Sequence, residues 1–209
     1  MNNWLSARAA KPLVFVLAWL PFFWLVARTL TDQLGPNPAE ALVRSSGDWS
    51  LRFLCLVLAV TPLRVSLGLS NLARLRRMLG LWVFFYASLH FLAYAWLDKG
   101  LELPDIARDI AKRPFILVGF VSWVLLLLLA ATSWNGAVRW LGALYWRRLH
   151  RAVYLIAGLA ILHFFWMRAA KNNLTEVAVY AAVLGMLLAW RVRRAWQVRI
   201  RGAPSSPGA

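Results

Sequence analysis

Six stretches of this chain are apolar over enough residues to cross a lipid bilayer, and few folds are open to such a chain. A hydrocarbon core about 30 Å thick takes roughly 20 helical residues at about 1.5 Å each. Runs near residues 12–29, 50–67, 79–97, 114–134, 150–168 and 174–190 meet that length. The second is the weakest, with only residues 53–63 uncharged between Arg52 and Arg64, but arginines near a span end can reach back to the interface. Pro21 and Pro62 predict kinks in the first two helices, which neighbours in a bundle tolerate. The prediction is an all-α integral membrane protein, a bundle of six transmembrane helices. Residues 1–191 form one transmembrane domain, and 192–209 a basic tail whose GAPSSPGA end reads as disordered. The first span is expected to be retained, although Val26-Ala27 resembles a small-residue cleavage site.

Composition agrees with this reading. The chain is 61% hydrophobic and 15% charged, against about 45–50% and about 25% in soluble domains. Its 13 tryptophans suit the membrane–water boundary. A single cysteine, Cys55, excludes an internal disulfide or a cysteine-ligated cluster. C-x-x-C-H is absent from the sequence, so any haem is held non-covalently.

A net charge of +16 invites a nucleic-acid reading, but the placement of the charges explains it without one. The N-terminal head, the 64–78 and 135–151 loops and the tail from Arg191 hold fifteen of the 24 basic residues and no acid. The opposite loops hold the other nine and all eight acids. Counting Lys and Arg alone, this puts both termini in the cytoplasm. The basic tail is also suited to anionic lipid headgroups. Among the outward loops, 30–49 carries the turn signals LGPNP and SSGD, and 98–113 predicts a short amphipathic surface helix after Pro104.

Within this frame the three histidines stand out. An ionisable side chain in hydrocarbon is costly and marks a functional site. His90 and His163 fall at matched depth on the third and fifth spans, roughly 17–20 Å in from the cytoplasmic side. Two imidazoles from different helices at one depth can ligate one iron from both faces of a porphyrin. The structural alternative is a pair of packing histidines bonded to neighbouring hydroxyls. His150 lies thirteen residues before His163, at the cytoplasmic edge, and is a candidate ligand for a second haem. The matching positions before His90 are Arg76 and Arg77. Thirteen residues do not return an ideal helix to the same face, so either Gly158 distorts the helix or His150 precedes it. Met167 is a lesser axial candidate. Gly80, Ala87, Ala93, Gly158 and Ala160 are small enough for a macrocycle to approach. Arg64, Arg76, Arg77, Arg147, Arg148 and Arg151 are candidates to bind propionates or a flavin phosphate.

The segments RRMLGLWVFFYASLHFLAYAW, KRPFILVGF, WRRLHRAVYLIAGLAILHFFW and LGPNPAEALVRSSGDWSLR resemble the MsrQ (YedZ) family. These are haem-binding membrane subunits of bacterial methionine sulfoxide reductase systems, within the ferric-reductase-like transmembrane superfamily. The resemblance implies that His90, His150 and His163 match haem-ligand positions. The superfamily's oxidases carry two histidines on each of two helices, a pattern this chain departs from at Arg76 and Arg77. It also implies one b-type haem or two, FMN as a further cofactor, and residence in the bacterial inner membrane. Electrons from the quinone pool or a cytosolic flavin reductase would serve MsrP, a periplasmic molybdopterin enzyme. By this likeness the chain is an electron-transfer subunit and not the catalytic one. The sequence has no G-x-G-x-x-G, so reducing equivalents come from another molecule. The competing readings are a stand-alone ferric or quinone reductase and a haem-free scaffold or transporter subunit. The deep polar residues are mainly isolated, such as Thr61, Ser88 and Ser122, and make no permeation path.

Overall fold

The computed structural model of the chain describes residues 10–169 and 173–201. Arg8 of the basic head and the expected disordered end at 202–209 lie outside the described residues. Every regular element among the described residues is helical. The helices are α1 (Ala10–Leu30), α2 (Pro38–Ser66), α3 (Arg76–Ala93), α4 (Leu103–Lys112), α5 (Pro114–Ala131), α6 (Asn135–His150), α7 (Ala152–Ala169) and α8 (Thr175–Arg201). A 3₁₀ turn at Ser70–Leu75 leads into α3, and a π turn at Tyr94–Asp98 ends it. Six segments are long and apolar enough to cross a membrane, as expected. Six crossings bring the chain back to the end where α1 starts, here called the terminal end; the other is the distal end.

Two loop expectations need correction. The second span does not begin at residue 50 with a turn at SSGD. Helix α2 starts at Pro38, where the Asn37 side chain accepts the Glu40 N–H at 3.1 Å and the proline spares an unpaired donor. The SSGD segment is helical, and Ser46 Oγ is accommodated there by donating back to Leu42 O at 2.7 Å. The 135–151 loop is likewise helical as α6, broken at Gly142, whose φ of +74° a glycine adopts without strain. Exposed Trp140, Leu144 and Tyr145 on α6 suit a bilayer interface. His150 is the last residue of α6, and a break at Arg151 separates it from α7. His150 therefore precedes the regular helix of His163, which resolves the thirteen-residue mismatch.

The bundle is organised on α2 and α3, which run along each other, with α5 packed on α7 beside them. Lipid tails are as apolar as leucine, so packing and hydrogen bonds, rather than hydrophobic burial, hold such helices together. Tyr86 shows how. It is fully buried, stacks on Phe53 (centroids 5.3 Å apart, planes 12°) and donates its hydroxyl to Ala18 O at 2.8 Å, joining α1, α2 and α3. Trp19 and Phe85 add edge-to-face contacts around Trp82 at 5.0 and 5.1 Å.

The two ends differ in chemistry as the sequence charges require. At the distal end Arg44 and Arg168 pair with Glu176, Lys99 and Arg113 with Asp109, and Arg108 with Asp105. The terminal end has no acid to offer. There Arg76 donates to Thr61 Oγ1 at 2.5 Å, Arg77 to Asn135 Oδ1 at 2.7 Å, and Arg191 to the Leu58 and Leu187 carbonyls at 2.5 and 3.2 Å.

Candidate functional site

His90 on α3 and His163 on α7 face each other across a cavity, with ring centres 6.1 Å apart and planes at 82°. Each ring is fixed from behind by a different helix. His90 Nδ1 lies 2.7 Å from Val43 O on α2, and His163 Nδ1 lies 2.7 Å from Phe115 O on α5. A carbonyl oxygen only accepts, so both Nδ1 atoms carry the proton and both Nε2 atoms keep a free lone pair. Neither Nε2 has a hydrogen bond among the described residues.

This arrangement fits a metal held between the two rings. A ligating imidazole nitrogen sits about 2 Å from its metal, and the ring centre lies roughly 1 Å further back, so two trans imidazoles have centres about 6 Å apart. The second-partner rule for ligating histidines is met on both sides by the two carbonyls. The surrounding cavity, of about 380 Å³, lies within the size range of cofactor sites. Leu54, Leu126, Phe120 and Trp123 are among its walls. The hydroxyls nearby are spent within the protein: Ser50 Oγ donates to Val83 O at 3.1 Å, and Ser122 Oγ to Val118 O at 2.8 Å. Arg44, Arg113 and Arg168 border the cavity toward the distal end beside Glu40, Asp48 and Asp98, and these arginines are paired with Glu176 or Asp109. These features together fit a haem, which His90 and His163 would hold and which would supply one-electron chemistry there.

The distal border is also braced. Asp109 on α4 accepts hydrogen bonds from Lys99 Nζ at 2.8 Å, Tyr94 Oη at 2.9 Å and Arg113 Nε at 3.1 Å. Lys99 above all, with Tyr94 and Arg113, holds this carboxyl below the usual carboxylate range, although its burial opposes the shift. Helix α4 is thereby tied to the π turn and to the start of α5, both of which border the cavity.

His150 stands outside this cavity. Its ring lies on Trp146 with centres 3.9 Å apart, its Nδ1 donates to Trp146 O at 3.1 Å, and its Nε2 is 3.4 Å from Ser133 Oγ. Arg77 sits 5.7 Å from the Trp146 ring centre, and Arg76 turns away toward α2. Arg76, Arg77 and the exposed Arg151 do not border the His90–His163 cavity, so the cations nearest that pair are those of the distal end. Among the small residues expected near a macrocycle, Ala87 and Ala160 line the cavity, whereas Gly80 and Gly158 face open space. Met167 lines it too.

The sequence reading missed Gly47 and Gly119. A Cβ on Gly47 would come 2.9 Å from His90 Nδ1, and one on Gly119 would come 2.9 Å from both Nδ1 and Cε1 of His163. The available signal was a glycine four residues after each accepting carbonyl, V-R-S-S-G and F-I-L-V-G.

The model of the ferric reductase like transmembrane component matches residues 46–161, which include His90 and His150 and end two residues before His163. The protein-methionine-sulfoxide reductase heme-binding subunit MsrQ of Polaromonas naphthalenivorans is 62% identical, over 93% of this chain and 89% of that protein. The protein of the same description from Herminiimonas arsenicoxydans is 50% identical, over 90% and 87%. Magnetosome protein MamZ of Magnetospirillum gryphiswaldense is 45% identical over 87% of this chain, but the match spans only 28% of that longer protein. No solved structure matches the chain. With its six apolar helices, the chain is a multi-pass membrane protein that belongs to the ferric-reductase-like transmembrane family and, within it, to the MsrQ subunits.

Proposed function

We propose that this chain is the haem-carrying electron-transfer subunit of a methionine sulfoxide reductase system, seated in the bacterial inner membrane with both termini in the cytoplasm. The observation that carries the reading is the His90–His163 pair, 6.1 Å between ring centres with both Nδ1 protons given to backbone carbonyls. A b-type haem bound there supplies one-electron chemistry between a cytoplasmic-side donor, the quinol pool or a flavin reductase, and the periplasmic molybdopterin reductase MsrP. The chain's own part is to hold and shield. His90 and His163 present two lone pairs to one site. Phe120, Trp123, Leu54 and Leu126 keep water from it. Arg44, Arg113 and Arg168, at the distal border, would reach cofactor carboxylates by sharing them with their partners Glu176 and Asp109.

On the cytoplasmic side Arg76, Arg77 and Arg151 offer cations to an anionic donor or to the phosphate of FMN, a cofactor supported by family resemblance. His150 lies at the same end, and a second haem there would require its ring to leave Trp146.

The test is a dithionite-reduced minus oxidised spectrum of the purified protein in detergent, with haem quantified per chain. Sharp b-type bands are expected. Reoxidation of the reduced protein by MsrP plus a methionine sulfoxide substrate, and not by either alone, establishes the partnership. A protein that stays colourless after expression with ample haem refutes the reading.

A further inference from the structure

The two cavity histidines are seated in the same way on two unrelated stretches of sequence. On α2, Val43 O accepts from His90, and Gly47 follows four residues later. On α5, Phe115 O accepts from His163, and Gly119 follows four residues later. In an α-helix residue i+4 donates its N–H to the carbonyl of residue i, and its side chain projects beside that bond. The histidine therefore reaches a carbonyl already engaged by the glycine's own N–H, using the second lone pair. Its ring occupies the space where a side chain at 47 or 119 would stand. Any Cβ there would come within 2.9 Å of ring atoms, closer than real Cβ contacts. Of the other helical glycines, Gly80, Gly142, Gly158 and Gly185 have no atom within 4 Å of the same position and Gly136 meets the Trp134 ring instead, so a glycine that makes room for a histidine is found at 47 and 119 alone among the described glycines.

We propose that Gly47 and Gly119 are positioning residues for the two axial ligands: each forms a notch that lets one imidazole dock on the carbonyl a turn before it, and the two notches together set the 82° angle between the rings. The proposal rests on the reading of His90 and His163 as haem ligands. Two consequences follow from the chemistry. A short Nδ1–H···O=C bond makes the imidazole a stronger donor at Nε2 and favours ferric iron. Perpendicular rings each interact with a different one of the two iron dπ orbitals and raise both equally. Near-degenerate orbitals give a low-spin ferric ion a highly anisotropic EPR signal, whereas parallel rings give a rhombic one.

The test uses the full chain with haem, comparing wild type with Gly47→Ala and Gly119→Ala, and with Gly80→Ala and Gly185→Ala as controls. EPR of the oxidised protein, a potentiometric titration and haem per chain are read for each. Wild type and both controls are expected to show the highly anisotropic signal. The notch variants are expected to shift toward a rhombic spectrum and a more positive midpoint potential, with about 10-fold weaker haem retention. Notch variants with the wild-type signal, potential and haem content overturn the proposal, as do controls that change equally. If His90→Ala or His163→Ala keeps the wild-type haem spectrum, the ligand reading itself has failed, which is a separate result.

If Gly47→Ala does not accumulate in the membrane, the double variant Gly47→Ala/His90→Ala decides. Removing the ring removes the clash, so accumulation returns. A double variant as poorly accumulated as the single one shows that the glycine serves helix packing instead, and overturns the proposal.

Discussion

The ring of His150 lies against that of Trp146, with 3.9 Å between centres and 24° between planes, and both nitrogens of the histidine are turned to the protein. The packing separates His150 from the other two histidines, which turn their Nε2 atoms into the cavity. His150→Ala is therefore expected to leave the low-spin haem of His90 and His163 unchanged in absorption and EPR. A pyridine haemochrome assay gives the stoichiometry. A fall from two haems per chain to one in this variant would assign a second haem to His150.

His90→Ala and His163→Ala are each expected to abolish the six-coordinate haem, because one imidazole cannot close both faces of the iron. The readout is the loss of the sharp reduced-minus-oxidised bands while the protein still reaches the membrane. An unaltered spectrum in either variant contradicts the assignment.

Tyr86 tests the packing of the bundle apart from the cofactor. Its hydroxyl bonds to Ala18 O at 2.8 Å, three residues before Pro21 in α1. Removing the hydroxyl costs one interhelical bond, so Tyr86→Phe should lower stability by about 1 kcal/mol. Thermal unfolding in detergent reads the loss. The haem spectrum should be unchanged, since Tyr86 does not line the cavity.

Asp109 gives the distal end a pH dependence. Its carboxyl is held below the usual carboxylate range, first by Lys99, so it binds its proton more weakly folded than unfolded. Its contribution is therefore complete above the unfolded value of about 3.9 and is lost as pH falls through the lower folded value. Hydrogen exchange of α4 should accelerate only in that acidic window. Asp109→Asn should show the faster exchange already at neutral pH. Equal protection of α4 in wild type and variant would show that the brace is unimportant.

Much of this molecule is legible in the residues, and the reason differs from part to part. The spans are legible because membrane crossing depends on the summed hydropathy of about 20 adjacent residues. The standing of His90 and His163 as candidates is legible because an imidazole in hydrocarbon needs a reason to be there, and the structure brings the two rings to one cavity. The placement of α2 was not. SSGD reads as a turn by local preference, yet Ser46 bonds within the helix and Gly47 makes room for a ring from α3. Nor was the helix at α6, whose exposed aromatic residues suit an interface that a loop reading ignores. Nor was it legible which cations border the cavity: Arg44, Arg113 and Arg168 do, while Arg76, Arg77 and Arg151 lie toward the terminal end.

The sequence by itself therefore determined the class of protein, the number of crossings, the separation of charges between the two ends, and which two histidines lie deep in the spans. Those properties are local, additive sums over neighbouring residues. Tertiary structure alone decided that His90 meets Val43 and His163 meets Phe115, partners 47 and 48 residues apart in the chain. Such pairings depend on which faces of two helices come together, and hydropathy, summed along one helix, does not record its neighbours.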